Sequence, residues 1–539
     1  MLSENSRITN RSGNFKRTVG TTDGRRSRQQ TTLHIRKQRK DEQLRNKRSQ
    51  VHIMDENNNI MSMSNVLRGR KATVADIPQL ATVITGSQST AVDKLEATKC
   101  LRRLLCKERN PPVNDILNCG VLPHLVYNLT ADPEDYSLIF ETAWVLTNVA
   151  TTNTKEILAE GAAGPLVNLI VHDSPDVREQ SMWCLGNIAG DGVEARDEIL
   201  RHSPFPHLKR NLEKPSTLSL LQHCLWCISN LCRGEPSPDR SMTDPIVYEL
   251  AITMDKLLGV SDNDEALNDL LWAFSYLSRG DEATINHVMG TGIHFKLITL
   301  IKKKRPKVLM APIVRILGNF VGGNDNQTDC VISAGLFDCI PNLLASTSAN
   351  VRKETCWMLS NIARGSPEQA SQLLKQRQIM ESLVDRASHD WWVVRTEAIY
   401  VITSLLQSNI RTSVVVPLLA VGGLGSLVRF LEGPCADVGL VKDVLEAIET
   451  ILDFGMKNTE VGFTHMLDEY GGIALIDGLQ EHENEEIYGM AVRILENYCG
   501  AEDVDENLAP TADSDTGAFA FGVKKQLFDS DGVPPSFEF

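Results

Sequence analysis

The sequence predicts an all-α fold in which near-identical helical units stack into a solenoid, and three observations carry that expectation. The chain has 539 residues, too many for one compact hydrophobic core. It is 42% hydrophobic but only 6% aromatic, a composition suited to helices rich in Leu, Ala, Ile and Val. Third, a Trp followed four residues later by an Asn returns at Trp144/Asn148, Trp183/Asn187, Trp226/Asn230 and Trp357/Asn361. Altered copies stand at Trp272/Tyr276, Arg315/Asn319 and Tyr400/Ser404, so that seven marks follow one another at 39, 43, 46, 43, 42 and 43 residues. A period of roughly 40–47 residues is that of armadillo and HEAT arrays.

The N-terminal element is a basic arm. Residues 1–50 hold 14 Lys or Arg against 4 Asp or Glu, a net of +10, which leaves −24 on the rest of a chain whose total is −14. The arm has too few apolar residues to offset its own ordering entropy. Within it, Thr31–Gln50 has no Gly or Pro and places Leu33, Arg36, Lys37, Lys40 and Leu44 at helical spacing, as expected of a helix that folds on a partner. That partner is either a nucleic acid or an acidic protein, the chain's own body included. The acidic body argues against a nucleic-acid surface there.

The repeats follow. Each begins with a polar turn such as Ser174-Pro175-Asp176, continues in an amphipathic helix, VREQSMWCLGNIAG, and ends at a turn such as Gly190-Asp191. In that helix Met182, Leu185 and Ile188 form the packing stripe, while Trp183 and Asn187, four apart, share another face. In a stack the same helix of every repeat lines one surface, so the Trp and Asn form parallel ladders. A row of amides can bond the main chain of an extended peptide, and Trp rings flanking it make slots for aliphatic stems with cationic heads. Asp191, Glu265 and Asp269 are placed to select Lys and Arg, although Gly-Asp is also simply a turn. After about residue 501 the chain becomes acidic and irregular, AEDVDENLAPTADSDT, as expected of a disordered tail. The expected organisation is an arm at 1–60, a solenoid at 70–505 and a flexible tail at 506–539.

These residues resemble the importin α family. REQSMWCLGNIAGD at 178–191, LWCISNLCRG at 225–234, LWAFSYLSRGD at 271–281, VRILGNFVGGNDNQT at 314–328 and KETCWMLSNIARG at 353–365 are similar to its successive repeats. ERNPPVNDILNCGVLPHLV at 108–126 resembles the first repeat and YGGIALIDGLQEHENEEIY at 470–488 the last. The resemblance implies a right-handed superhelix of about ten repeats that carries basic nuclear-localisation signals of cargo proteins. A major site would use Trp144, Asn148, Gln180, Trp183, Asn187, Asp191, Trp226, Asn230, Glu265 and Asp269, with Asp191 on the most deeply held Lys. A minor site would use Arg315, Asn319, Glu354, Trp357 and Asn361. The segment 15–48 resembles the family's importin-β-binding segment, which implies that Arg25, Arg26, Arg28, Arg36, Lys37, Arg39, Lys40, Lys47 and Arg48 engage importin β, and that the arm occupies the groove otherwise. It further implies an export receptor with Ran-GTP near the last repeat and shuttling between cytoplasm and nucleus, and it leaves contact with nuclear pore proteins open.

Three departures from the family pattern carry expectations. Tyr400 and Ser404 stand where the family has Trp and Asn, which predicts a weakened minor site. Ser49 after Lys47-Arg48 predicts weaker autoinhibition. The turn after Asn148 is shorter than the family's. Other chemistry is not expected: Cys224 and Cys227 lack a second ligand pair for zinc, Gly423-Leu424-Gly425 lacks a dinucleotide motif's third glycine, and neither a Walker A nor a G-x-S-x-G pattern occurs. No enzyme, cofactor or nucleic-acid partner is therefore expected, and the 12 Cys are read as reduced thiols in an intracellular protein with no secretory signal. The longest apolar run, 413–428, is interrupted by Pro417, Gly422, Gly423 and Gly425 and is too short for a membrane span. The competing reading is an armadillo scaffold for other peptides.

Overall fold

The computed structural model describes residues 71–499, apart from positions 108–109, 133, 260–262, 304–305, 435–436 and 459–462, together with 511–512 and 519–520. The nine basic residues assigned to the arm and nearly all of the tail lie outside the described residues. Described structure is helical except for Thr511–Ala512, paired antiparallel with Phe519–Ala520 within the segment whose sequence predicts a disordered tail. None of the eleven described cysteines forms a disulfide.

The chain divides into two units at Ile410/Arg411. In the first, a repeat is two short helices and a long one, as in Thr154–Ala159, Ala163–Leu169 and Pro175–Ala189. The reversal between the short helices needs a residue at positive φ, the region glycine enters without a Cβ penalty. Gly161 (φ 75°) and Gly292 (φ 72°) supply it, but in the fourth repeat, before Leu218–Leu231, Ser203 adopts φ 52°. Ser203 is exposed, so Ser203→Gly is expected to stabilise the protein by about 1 kcal/mol, the order of the left-handed penalty. The urea midpoint of the variant checks this. Arg240–Leu258 contains no glycine, and there one helix of 19 residues replaces the two short ones.

The long helices are Ala91–Lys107 (α1), Tyr136–Val149 (α2), Pro175–Ala189 (α3), Leu218–Leu231 (α4), Asp264–Leu277 (α5), Met310–Val321 (α6), Ala349–Ala363 (α7) and Trp392–Leu406 (α8). Each packs beside the next. From Val177 to Ala189, α3 is buried on nearly every side, and Trp183 is 5% exposed. The open strip of this helix is therefore narrow: neighbours on two sides and the short helices of its own repeat cover most of it, and Arg178, Glu179 and Asn187 remain half-buried. Trp144, Trp226 and Trp272 are half-buried.

The second unit repeats the plan twice, ending in Val438–Asn458 (α9) and Glu485–Tyr498 (α10), which pack together. Its apolar run becomes Arg411–Leu419 and Gly423–Leu431, bent by 89° at the left-handed Gly422 (φ 82°). Among the described residues no single helix is long and apolar enough to cross a membrane.

Candidate functional site

Each long helix of the first unit presents the same positions relative to its mark, the residue at the Trp position. The Asn lies four residues after it, and its amide is spent in a consistent way. Nδ2 of Asn187 donates to the Thr147 carbonyl at 3.1 Å, Asn230 to Gly186 at 2.9 Å, Asn319 to Ser275 at 3.0 Å and Asn361 to Gly318 at 3.3 Å. In every case the acceptor lies three residues after the preceding mark. A carbonyl can only accept, so the amide nitrogen must face it, and the orientation of the whole side chain follows. The ladder amides are thus ties between repeats, and Nδ2 of Asn319 makes a second one, to Ser278 Oγ at 2.9 Å. Asn148, which begins the series, bonds Trp144 O at 3.0 Å and Cys106 Sγ at 3.8 Å instead. Ser404 Oγ donates to Tyr400 O in its own helix, so the tie is replaced by a local bond there. Tyr276 stacks on Trp272 with ring centroids 6.0 Å apart.

The residue three after each mark is Thr147, Gly186, Ser229, Ser275, Gly318, Ser360 or Thr403. At the two glycines the next repeat's mark packs directly on this position. A Cβ at Gly186 would stand 2.5 Å from Trp226 Cδ1, and one at Gly318 would stand 2.1 Å from Trp357 Cζ3. Here glycine is required by a close approach and not by φ.

Three residues before each mark lie Glu141, Gln180, His223, Asp269, Pro312, Glu354 and Glu397. Most of this row reaches back to the preceding helix. Glu141 accepts from Arg102 Nε at 2.6 Å, and Gln180 Nε2 donates to Thr147 Oγ1 at 2.6 Å. His223 lies 4.7 Å from the Trp183 ring and 3.2 Å from the Glu179 carboxylate. Glu354 accepts from Arg315 Nε at 2.8 Å and Nη2 at 2.5 Å. Gln180, Asp269 and Glu354, singled out from the sequence, belong to this row. Glu141, His223 and Glu397 belong to it equally and were missed, although the spacing that finds them is visible in the sequence.

Asp191 is exposed and directly follows Gly190, which caps α3 and whose carbonyl accepts from Arg233 Nη2 at 2.7 Å. Glu265, also exposed, accepts from Gln222 Nε2 at 2.6 Å across from α4 to α5. Arg315, in place of a Trp, holds its guanidinium 5.4 Å from the Trp357 ring centroid while gripping Glu354, so this cation and this carboxylate are paired within the chain. Cys224 and Cys227 are fully buried in α4, and burial pushes the Cys224 thiol far above its ordinary range.

Stacked three-helix repeats joined by amide ties define an armadillo-repeat protein. The armadillo/β-catenin-like repeat matches residues 152–190 and 324–364, an atypical armadillo repeat matches 462–511, and an importin-β-binding domain matches 11–99. The last of these extends past the arm of 1–60 into α1. A crystal structure of an engineered protein shares the fold at TM-score 0.67 and 22% identity, over 79% of this chain and 99% of its own. Importin subunit alpha-1a of Oryza sativa subsp. japonica is 34% identical over 97% of this chain and 98% of its own length. Importin subunit alpha-3 of Arabidopsis thaliana is 33% identical over 97% of each. The chain belongs to the importin α family of nuclear import adaptors.

Proposed function

We propose that this adaptor reads basic nuclear-localisation segments along the ladder of its first unit, and that Asp191, Glu265 and Asp269 supply the preference for Lys and Arg. The observation that carries the reading is the coincidence, in α2, α3, α4 and α7, of an indole, an oriented amide and an acidic or polar side chain at fixed offsets. The amide acceptors face peptide N–H groups without dictating sequence, the indoles take the stems, and the acids pair with the heads. Major-site cargo would use Trp144, Asn148, Gln180, Trp183, Asn187, Asp191, Trp226, Asn230, Glu265 and Asp269. Minor-site cargo would use Asn319, Trp357 and Asn361, with Arg315 and Glu354 as a paired boundary. The arm links the complex to importin β. An export receptor with Ran-GTP recovers the protein from the nucleus, so that it shuttles between the two compartments, and the chain itself catalyses nothing.

Binding of a fluorescent monopartite basic peptide to the full chain, repeated with Asp191→Lys, tests this. Asp191 is exposed, so the variant is expected to fold. Reversing a charge beside a bound Lys should weaken binding about tenfold to a hundredfold, each factor of ten being 1.4 kcal/mol. Equal affinities would overturn the reading. A second expectation concerns Tyr400 and Ser404. The gain of a bipartite over a monopartite peptide should be small in this chain and rise severalfold in the Tyr400→Trp/Ser404→Asn variant, which restores the tie to the Ser360 carbonyl. An unchanged gain would mean that the altered repeat does not limit the minor site. Removing residues 1–60 should raise cargo affinity only modestly, because Ser49 stands where the family has a further basic residue after Lys47-Arg48. A large rise would contradict weak autoinhibition.

A further inference from the structure

Two places in the ladder carry a cation of the chain's own. Arg102 in α1 precedes Trp144 by 42 residues and Glu141 by 39, and Arg315 in α6 precedes Trp357 by 42 and Glu354 by 39. Each arginine therefore sits at the mark of its own repeat and faces the indole and the carboxylate of the next. The geometries agree. Arg102 holds its guanidinium carbon 4.7 Å from the Trp144 ring centroid and its Nε 2.6 Å from the Glu141 carboxylate. Arg315 is 5.4 Å from the Trp357 ring and grips Glu354 at 2.5 and 2.8 Å. A guanidinium over an indole and hydrogen-bonded to a carboxylate is the set of contacts a cargo arginine would seek in the same place.

We propose that Arg102 and Arg315 act as internal ligands, each filling one slot of the ladder and so fixing where a run of cargo cations must stop. This rests on the reading of the ladder as a groove for basic peptides. Glu141 and Glu354 are 7% and 2% exposed, and a carboxylate so buried is destabilising once its cation is gone. Neither slot can therefore stay empty: it is filled by the chain's own arginine or, if that is removed, by a cation from outside. Arg102 closes the slot of the second repeat and Arg315 that of the seventh, at the first indole of the major and of the minor group respectively. They are positioning residues for register: Arg102 bounds the ladder before its first indole, and Arg315 stands between the two groups of slots.

The test uses the full chain, with Arg102→Ala and Arg315→Ala as variants and Arg102→Lys as the conservative one. The first probe is ethylguanidinium at millimolar concentration against ethylammonium at the same ionic strength, read by thermal unfolding. Ethylguanidinium should raise the midpoint of each alanine variant and leave the natural chain and Arg102→Lys unmoved. The second probe is a pair of basic peptides, one with an additional Arg at either end. The longer peptide should bind the Arg102→Ala variant about tenfold better than the shorter and bind the natural chain no better. Equal effects of ethylguanidinium on variant and natural chain, or an equal gain from the added arginine in both, would overturn the proposal. If no peptide binds the natural chain, the groove reading fails, while the ethylguanidinium arm still decides whether the slots hold an internal ligand. Should Arg102→Ala not fold, Arg315→Ala carries the same comparison, because the Arg315 side chain is 32% exposed against 6% for Arg102.

Discussion

Replacing Arg352 with alanine is expected to destabilise the first unit by about 3–5 kcal/mol, the cost of leaving a buried charge without its partner. The Arg352 guanidinium, at the start of α7, reaches both oxygens of Asp390 at 2.6 Å and the Ser346 carbonyl at 2.6 Å. Asp390 lies just before α8, and its side chain is 1% exposed. The pair therefore pins the start of one repeat's long helix to the start of the next. Burial acts to raise the Asp390 carboxyl, but the hydrogen bond and charge of Arg352, with Arg386 at 3.2 Å, outweigh it and hold the group below its usual range. A lowered folded pKa means that this stabilisation is complete above the ordinary carboxylate value, about pH 4, and is lost as pH falls through the folded value. Urea unfolding of the natural chain should therefore weaken below about pH 4 more steeply than that of Arg352→Ala. Arg178 supplies a control. It sits five before Trp183 as Arg352 sits five before Trp357, and it bonds the carbonyls of His172 and Asp173 and the neutral Ser216 Oγ. With no buried charge to strand, Arg178→Ala should cost only about 1 kcal/mol. Equal losses at the two positions would show that the charge is not what matters. Repeat stacks open locally, so the loss should appear first as faster amide exchange in α7 and α8.

Gly318→Ala is the second large effect. The added Cβ would meet the Trp357 ring at 2.1, 2.8 and 3.0 Å, and no rotation of a flexible chain end relieves that. Either the indole leaves its seat or α6 and α7 separate, at the roughly 1–3 kcal/mol typical of overpacking. Separation also stretches the Asn361 tie to the Gly318 carbonyl, already 3.3 Å. Loss of urea stability should therefore come with a shift in tryptophan emission and weaker binding of minor-site peptides. Ser229→Ala, the same offset in α4, adds no atom and removes a hydroxyl that donates to Trp226 O in its own helix, and it should change neither emission nor peptide affinity. If Gly318→Ala behaves like Ser229→Ala, the close approach is not what selects glycine.

The local signals in the sequence were enough for much of the protein. Helix, repeat period and marks were legible because each repeat must bury the same face against the same neighbour, and so writes the same residues every 40-odd positions. The row of Gly, Ser and Thr three after each mark was equally visible, though its cause was not. How much of the Trp/Asn face of Val177–Gly190 stays open was not legible, because the depth to which neighbouring helices enclose α3 depends on their packing.

What belonged to the tertiary structure is everything that joins position n of one repeat to position n of the next. That the Asn187 amide faces the Thr147 carbonyl, and that Arg102 takes Glu141 and Arg315 takes Glu354, depends on how far one helix slides along another when they stack. That offset is set by the volumes of many side chains packed at once. Spacing along the chain puts a residue on a face, but which partner lies opposite it is decided only when the faces meet.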